Sequence, residues 1–328
     1  MSSFNGILNK LADGRFHSGE VLAAEFNVTR AAIWKYLKKI EAMGLGVDAV
    51  RGKGYRLQAP LELLDTRLIS KTLAPPVASV ISGLTVHNEI DSTNRFLLRQ
   101  QQDEAIFKSG HVCLAESQTA GQGRRGRQWI SPFGSNIYLS VLWRYTQGPA
   151  GLSGLSLALG VGVMRVLSQY VDNKMGLKWP NDIYYGHQKL AGILVEINGE
   201  AHGPCTLVAG LGLNVNMGGA DRQAIDQPWT DLQTIVGEQK LSRNQLAGQL
   251  IEQMLTILKG YPEHGFRAYQ QEWAQWDIMS DKAVCITSMG GERHGTVKGI
   301  DQEGNLLLQT GQGLQVVHSG EVSLRLQA

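Results

Sequence analysis

Between Gly121 and Trp129 the chain packs three glycines and three arginines into nine residues, Gly-Gln-Gly-Arg-Arg-Gly-Arg-Gln-Trp. Glycine lets a backbone adopt positive φ and approach a ligand closely, while guanidinium groups are permanently charged forks that match carboxylates and phosphates. The chemistry on offer is the grip of an anion. An apolar run from His111 leads in and another from Asn136 to Trp143 leads out, so the cluster is predicted to lie on a loop between strands, where it can close over a ligand. Gly121, Gly123 and Gly126 also have the spacing of dinucleotide sites, but that motif needs a helix opening at the third glycine and an acidic residue about 20 positions on. The sequence continues Gln-Trp-Ile-Ser-Pro, and the first acidic residue after Glu116 is Asp172, which excludes it. Neither Gly-x-x-x-x-Gly-Lys-Ser/Thr nor His-Arg-Asp occurs, which excludes P-loop and protein-kinase chemistry.

Other polar groups stand at the ends of apolar runs. Gly83 to Ile90 reads as a strand delivering Asp91-Ser92-Thr93-Asn94 to a helix start; hydroxyls there either hold a neutral polar ligand group or simply cap the helix. Gly176-Leu-Lys-Trp-Pro-Asn-Asp182, Lys189-Leu-Ala-Gly-Ile-Leu-Val-Glu196 and Leu207 to Asn216 read as further strands, each with a polar group at one end. Lys189 precedes a wholly apolar run and would be anomalous inside a sheet, so it is predicted to point into a cavity.

The elements that must position these groups begin with a basic module. Residues 1–60 hold nine Lys/Arg against five Asp/Glu, so the chain's net charge of +2 leaves −2 for the rest. A helix over residues 5–13, a second from an N-cap at Ser18, and a third capped by Thr29 form a helix-turn-helix. In the third, Ile33, Leu37 and Ile40 make one apolar stripe, and Arg30, Lys35, Lys38 and Lys39 occupy the other faces, the positions a recognition helix uses in the major groove. A solvated amphipathic helix would share that stripe; the segment Val47 to Leu57, two short strands around a turn carrying Arg51 and Lys53, adds a wing and favours DNA binding. A linker comes next near Gln58 to Leu64, then a short helix over Leu68 to Leu73 ended by Pro75-Pro76. Leu152 to Leu167 is short for a membrane span and reads as a buried helix. Residues 244–276 read as helices, and from Ala283 short strands with turns at Met289, Asp301, Thr310 and Ser319 suggest a small barrel. At 328 residues with 43% hydrophobic, two or three domains are expected; Cys113, Cys205 and Cys285 stand far apart without a CxxC pair, so neither a disulfide framework nor a protein-held metal is indicated, and a cytoplasmic setting fits.

Gly-Gln-Gly-Arg-Arg-Gly-Arg, Lys-Trp-Pro-Asn-Asp, Lys-Leu-Ala-Gly-Ile-Leu-Val-Glu and Gly-Leu-Asn-Val-Asn, in this order behind a winged helix, closely resemble the bifunctional biotin protein ligases and biotin operon repressors of bacteria, over essentially the whole chain. The resemblance implies an α/β multidomain protein: a winged helix-turn-helix (1–64), a central α+β catalytic domain similar to class II aminoacyl-tRNA synthetases with a mixed sheet (65–276), and an SH3-like β-barrel (277–328). It implies that biotin and MgATP give biotinyl-5′-adenylate, that a lysine of a biotin carboxyl carrier protein then takes the biotin, and that the adenylate is a corepressor promoting a homodimer on operator DNA, without any membrane association. By family position Lys189, Arg124, Arg127 and Asp182 are catalytic. Ser92, Thr93, Asn94 and Gln118 hold the ureido and ring end of biotin, and Gly121, Gln122 and Gly123 close over its carboxylate together with Arg124 and Lys189. Trp129 packs on adenine, with Arg125, Arg127, Asn181, Asn214 and Arg325 meeting the nucleotide, and Asn181 and Asp182 orienting the reacting groups or Mg2+. Thr29, Arg30, Lys35, Lys38, Arg51 and Lys53 meet DNA. The Gly/Arg loop and Gln147 to Ser153 are the segments expected to order on ligand binding. Gln122 departs from the best-known pattern, Gly-Arg-Gly-Arg, and removes one cation from the lid. A regulator with an inactive sensor domain would not keep both Lys189 and the arginine loop, and a lipoate-type ligase would lack the winged helix.

Overall fold

The computed structural model describes residues 3–172, 174–200, 203–218, 225–288, 291–320 and 322–326. Helices α1 (Ser3–Leu11), α2 (Gly19–Glu25) and α3 (Arg30–Ala42) precede a hairpin of β1 (Val47–Val50) and β2 (Gly54–Leu57). Their starts obey the sequence: Ser18 accepts from the Glu20 amide, and Thr29 from the Ala32 amide at 3.2 Å. Asn27 takes a positive φ of 50° between α2 and α3. Ile7, Leu8 and Leu11 close on Leu22, Ile33, Leu37, Ile40 and Leu57, one small core that also takes in Phe133 from beyond the linker.

The linker is not a free tether. The Leu61 amide donates to Ala12 O at 2.9 Å, and the Leu64 amide to Glu116 Oε1 at 2.5 Å. Glu116 is paired at 2.8 Å with Arg243, the two side chains being 1% and 6% exposed. Arg243 also donates to the carbonyls of Asn136 and Glu62. It opens helix α9 (Arg243–His264), where a cation opposes the helix dipole, and the Glu62 carboxylate answers by accepting from Ser242 Oγ, the Arg243 amide and Asn244 Nδ2.

After α4 (Thr66–Lys71) the two prolines open a further short helix, α5 (Pro75–Ala78), rather than merely ending the first. Proline suits the first helical positions because φ is preset and no amide is needed there. The central sheet comprises β3 (Gly83–Ile90), β4 (His111–Gln118), β5 (Ile137–Tyr145), β6 (Met175–Lys178), β7 (Asp182–Tyr185), β8 (Gln188–Gly199) and β9 (Cys205–Leu213), in the order β3-β4-β5-β9-β8-β7-β6. Only β3 and β4 pair in parallel, so the sheet is mixed. Within it β5 reads as a nearly continuous apolar run and is buried nearly throughout. Between β3 and β4 lies α6 (Thr93–Gln100), and between β5 and β6 lies α7 (Leu155–Leu167). Pro149–Leu167 is long and apolar enough to cross a membrane by length and composition, yet nearly all of α7 is buried, packed on the sheet and on α9. After β9 come α8 (Leu232–Val236), α9 (Arg243–His264) and α10 (Gln270–Gln275), with Trp276 as the C-cap of α10.

The C-terminal strands β10 (Ala283–Ser288), β11 (Gly291–Ile300), β12 (Leu306–Thr310), β13 (Gly313–Val317) and β14 (Ser323–Leu326) form one antiparallel sheet in the order β13-β12-β11-β10-β14. The predicted turn at Met289 lies outside the described residues. The core under the central sheet runs without a break into Val284, Ile286, Val297 and Leu308 of this second sheet, which holds β14 against the site.

Candidate active site

One cavity of about 810 Å³ opens over the end of the central sheet, lined by α6, the Gly/Arg loop, β6 to β9, residues 225–229 and β14. Lys189 reaches it because the β7–β8 register shifts between Ile183 and Tyr184, setting Lys189 opposite Tyr184. Its ammonium lies 2.7 Å from Asp182 Oδ1 and 5.5 Å from the centre of the Trp129 ring. Asp182 opens β7 directly after the cis Trp179-Pro180 bond and Asn181. Asn181 is fixed by donating to Ile193 O at 2.8 Å, and its Oδ1 accepts from Arg124 at 3.3 Å.

Sequence reasoning passed over a second cation, Lys178, although it sits inside the Lys-Trp-Pro-Asn-Asp motif. Its ammonium lies 4.9 Å over the ring of Tyr184 and 3.4 Å from its hydroxyl. Burial pulls the Lys178 pKa down, countered by Asp182 and reinforced by Lys189, Arg127 and Arg325; burial pushes the Tyr184 phenol up to about 12. The ammoniums of Lys178 and Lys189 thus stand near guanidiniums from the loop and from β14, an arrangement whose electrostatic cost falls when an anion enters.

The opposite end of the cavity is polar and uncharged. Gln118 Oε1 accepts from the Thr93 amide at 2.9 Å and from its hydroxyl at 3.2 Å, and Gln118 Nε2 donates to Ser131 at 3.1 Å. Ser92 caps α6 through the Arg95 amide, so the capping reading of its hydroxyl holds while the residue still lines the cavity. Beneath them Ser140, fully buried in β5, lies 2.7 Å from Thr93 Oγ1 and donates its one hydroxyl proton to Asn94 Oδ1 at 2.5 Å, and Asn94 Nδ2 donates to Glu196 at 2.7 Å. Ser140 had a visible signal, a lone hydroxyl in an apolar strand.

Two glycines make the floor. A Cβ on Gly212 would lie 2.5 Å from the Trp129 indole, and one on Gly210 would lie 2.2 Å from Asn94 Oδ1. The indole therefore rests flush on β9, and its buried Nε1 has no protein acceptor among the described residues.

The arginine loop divides by role. Arg124 reaches across to the carbonyls of Ser319 and Gly320, latching the loop onto the C-terminal sheet, and burial lowers its pKa while Asp182 opposes the shift. Arg125, at φ 59°, and Arg127 are exposed at the mouth. Gln122 pairs with Gln128 across the loop. Asn214 lines the cavity, yet its amide donates to Thr230 O at 3.0 Å and so anchors the 225–230 segment. Arg325 lines the opposite wall from β14. None of the lining residues falls between 147 and 153, where Pro149–Leu152 forms a 3-10 turn.

Comparison with known proteins bears on this geometry. Residues 86–214 match the Biotin/lipoate A/B protein ligase family, residues 5–56 an HTH domain, and residues 279–325 the Biotin protein ligase C terminal domain. The chain is 40% identical over 319 residues to the Bifunctional ligase/repressor BirA of Salmonella typhimurium, covering 97% of this chain and 96% of that protein. The chain belongs to the bifunctional biotin ligase/repressor family. The Bacillus subtilis member is 29% identical, covering 95% of each chain. A biotin protein ligase from Aquifex aeolicus, solved in complex with biotin and ATP, superposes with a TM-score of 0.64 at 28% identity, covering 75% of this chain and 99% of its own.

Proposed function

We propose that this chain joins biotin to a lysine of a biotin carboxyl carrier protein in two ATP-driven steps, and that its N-terminal module uses the product of the first step to repress transcription. The observation that carries this reading is the two-ended cavity. Ser92, Thr93 and Gln118 offer paired donors and acceptors suited to the neutral ureido ring, while Lys189, Lys178 and the arginine loop face the other end. In the first step a carboxylate oxygen of biotin attacks the α-phosphorus of ATP, the bond to the β-phosphate oxygen breaks, and pyrophosphate leaves. Two anions must meet, so fixed cations lower the barrier; such electrostatic stabilisation is commonly the largest catalytic contribution. Lys189, now on Asp182, is placed to exchange that carboxylate for phosphate oxygens, with Arg124 and Arg127 closing from the loop. The backbone of Gly121, Gln122 and Gly123 covers the new mixed anhydride against water. Trp129 provides a flat surface for adenine, and Arg125, Asn181 and Arg325 border the nucleotide. In the second step the carrier's amine attacks the acyl carbon, AMP leaves, and an amide forms as the amine sheds a proton.

Asp182 and Asn181 offer hard oxygen donors beside the space for the phosphates, which suits Mg2+, an ion usually held by one or two carboxylates plus substrate phosphates. When bound it would draw charge from those phosphates.

Thr29 at the N-cap of α3, Arg30, Lys35 and Lys38 on α3, and Arg51 and Lys53 on the wing are exposed on the basic module, as phosphate contacts require. A lone module of this size buries little surface on DNA, so a homodimer ordered by the adenylate would supply the second half-site. The described cysteines are free, in keeping with a cytoplasmic protein. Incubation with biotin, ATP and a carrier domain should place biotin on one carrier lysine by mass spectrometry. A carrier left unmodified would refute the ligase reading. Sedimentation and operator binding with and without biotin and ATP test the switch separately.

A further inference from the structure

Along α3 the residues that face away from the core form a stripe, Ala31, Trp34, Lys35 and Lys38, at the i, i+3, i+4, i+7 spacing of one helix face. Trp34 is 57% exposed, although a tryptophan commonly supplies 150–250 Å² of apolar contact when it is buried. It does not belong to the core that Ile33, Leu37 and Ile40 form on the other side of the helix. Its ring has a cation beside it, Lys38 Nζ at 5.9 Å from the centroid. Arg30 and Lys35 are exposed one turn below and next to it, and the wing tip adds exposed Arg51 and Lys53. Arg30 is directed by Glu20 at 3.2 Å and Lys38 by Glu41 at 2.8 Å, so acidic neighbours orient the cations while the indole stands between them.

An apolar ring framed by cations fits a polyanion that also shows apolar surface. In the major groove the apolar feature of a base edge is the thymine 5-methyl group, and residues in the N-terminal half of a recognition helix are the ones that reach base edges. We infer that Trp34 is a specificity-determining residue of the DNA-binding surface, its indole covering a thymine methyl in each half-site, with Ala31 leaving room for the approach. This rests on the reading of residues 1–60 as a DNA-binding module. Lys35, Lys38, Arg51 and Lys53 then supply sequence-independent affinity, and Trp34 supplies sequence preference.

The test uses the full chain with biotin and ATP and a random-sequence duplex library, selected by wild type and by Trp34→Ala. In the site that wild type recovers, each thymine is replaced in turn by uracil, which removes only the methyl group. One replacement per half-site should weaken wild-type binding about fourfold, the worth of one buried methyl group, and leave the Trp34→Ala variant unaffected at that position. Trp34→Ala itself should bind the wild-type site about tenfold more weakly, as one lost base contact does, with an unchanged melting temperature. Uracil effects equal in both proteins, or an unchanged recovered sequence, would overturn the assignment to Trp34 while leaving DNA binding standing. A changed sedimentation of DNA-free protein on Trp34→Ala would mark the patch as a contact between copies and overturn it too. A wild-type protein that enriches no sequence would remove the DNA-binding reading and this inference together.

Discussion

Two ion pairs in this protein look alike in distance and differ in everything around them. Lys189 and Asp182 meet at 2.7 Å with side chains 13% and 19% exposed, on the wall of a cavity of about 810 Å³. Arg243 and Glu116 meet at 2.8 Å at 6% and 1%, sealed by the carbonyls of Asn136 and Glu62 and the amide of Leu64. The first pair has room beside it for a new anion and can trade partners. The second is hydrogen-bonded to a fixed shell and has nothing to trade with. Similar chemistry thus serves reaction in one place and cohesion in the other, and the surroundings decide which.

The largest effect should come from breaking the sealed pair. Arg243→Ala leaves a buried carboxylate uncompensated and should cost about 3–5 kcal/mol of folding stability, measured by urea denaturation. Replacing both partners, Glu116→Leu with Arg243→Met, should recover part of that loss, and a single variant costing under about 1 kcal/mol would undo the comparison. Breaking the open pair should act on the reaction instead. Lys189→Ala should slow adenylate formation roughly 100- to 1,000-fold, read by pyrophosphate release, with little change in melting temperature; near-normal turnover would remove Lys189 from the mechanism.

Smaller effects test the cavity's boundary. Arg124→Gly cuts the latch to Ser319 and Gly320 and should let adenylate escape, raising biotin on bystander lysines by about tenfold, a loss of ~1.4 kcal/mol in retention. Biotin found only on the carrier's own lysine would show that the latch is not a lid. Asp277 supplies a third case, a buried carboxylate whose shift no cation opposes: burial raises its pKa to about 6, countered only by the amides of Met279 and Ser280. The folded protein holds this proton up to about pH 6, whereas the unfolded chain releases it near its ordinary 3.8. Stability from this group is therefore present below about pH 4 and lost as pH rises toward 6. Asp277→Asn should flatten that part of a stability profile, and an unaltered slope would assign it elsewhere.

What can be read from the sequence is local. The cap residues Ser18 and Thr29, the stripe Ile33, Leu37 and Ile40, and the Gly/Arg loop depend on neighbours a few positions apart, and the structure puts them where the spacing predicts. Lys189 is legible as a charge at the mouth of an apolar strand. Ser140 with Asn94, Gly212 under Trp129, and Arg243 with Glu116 depend on strand register and on segments far apart in the chain, which no periodicity encodes. The Pro75-Pro76 pair reads as a stop because proline ends helices; in the fold it starts one, since a preset φ and a missing amide suit the first helical positions equally well.

The hydrogen-bonded linker has a geometric corollary. With Leu61 tied to Ala12, Leu64 to Glu116, and Glu62 to the start of α9, the recognition helix is carried at a set angle on the body of the protein. In the dimer proposed above, the span between the two helices would then depend on how the two bodies dock and not on play in the linkers. One base pair inserted between half-sites turns one of them by roughly a tenth of a helical turn relative to the other, and a rigid caliper has no slack with which to adjust.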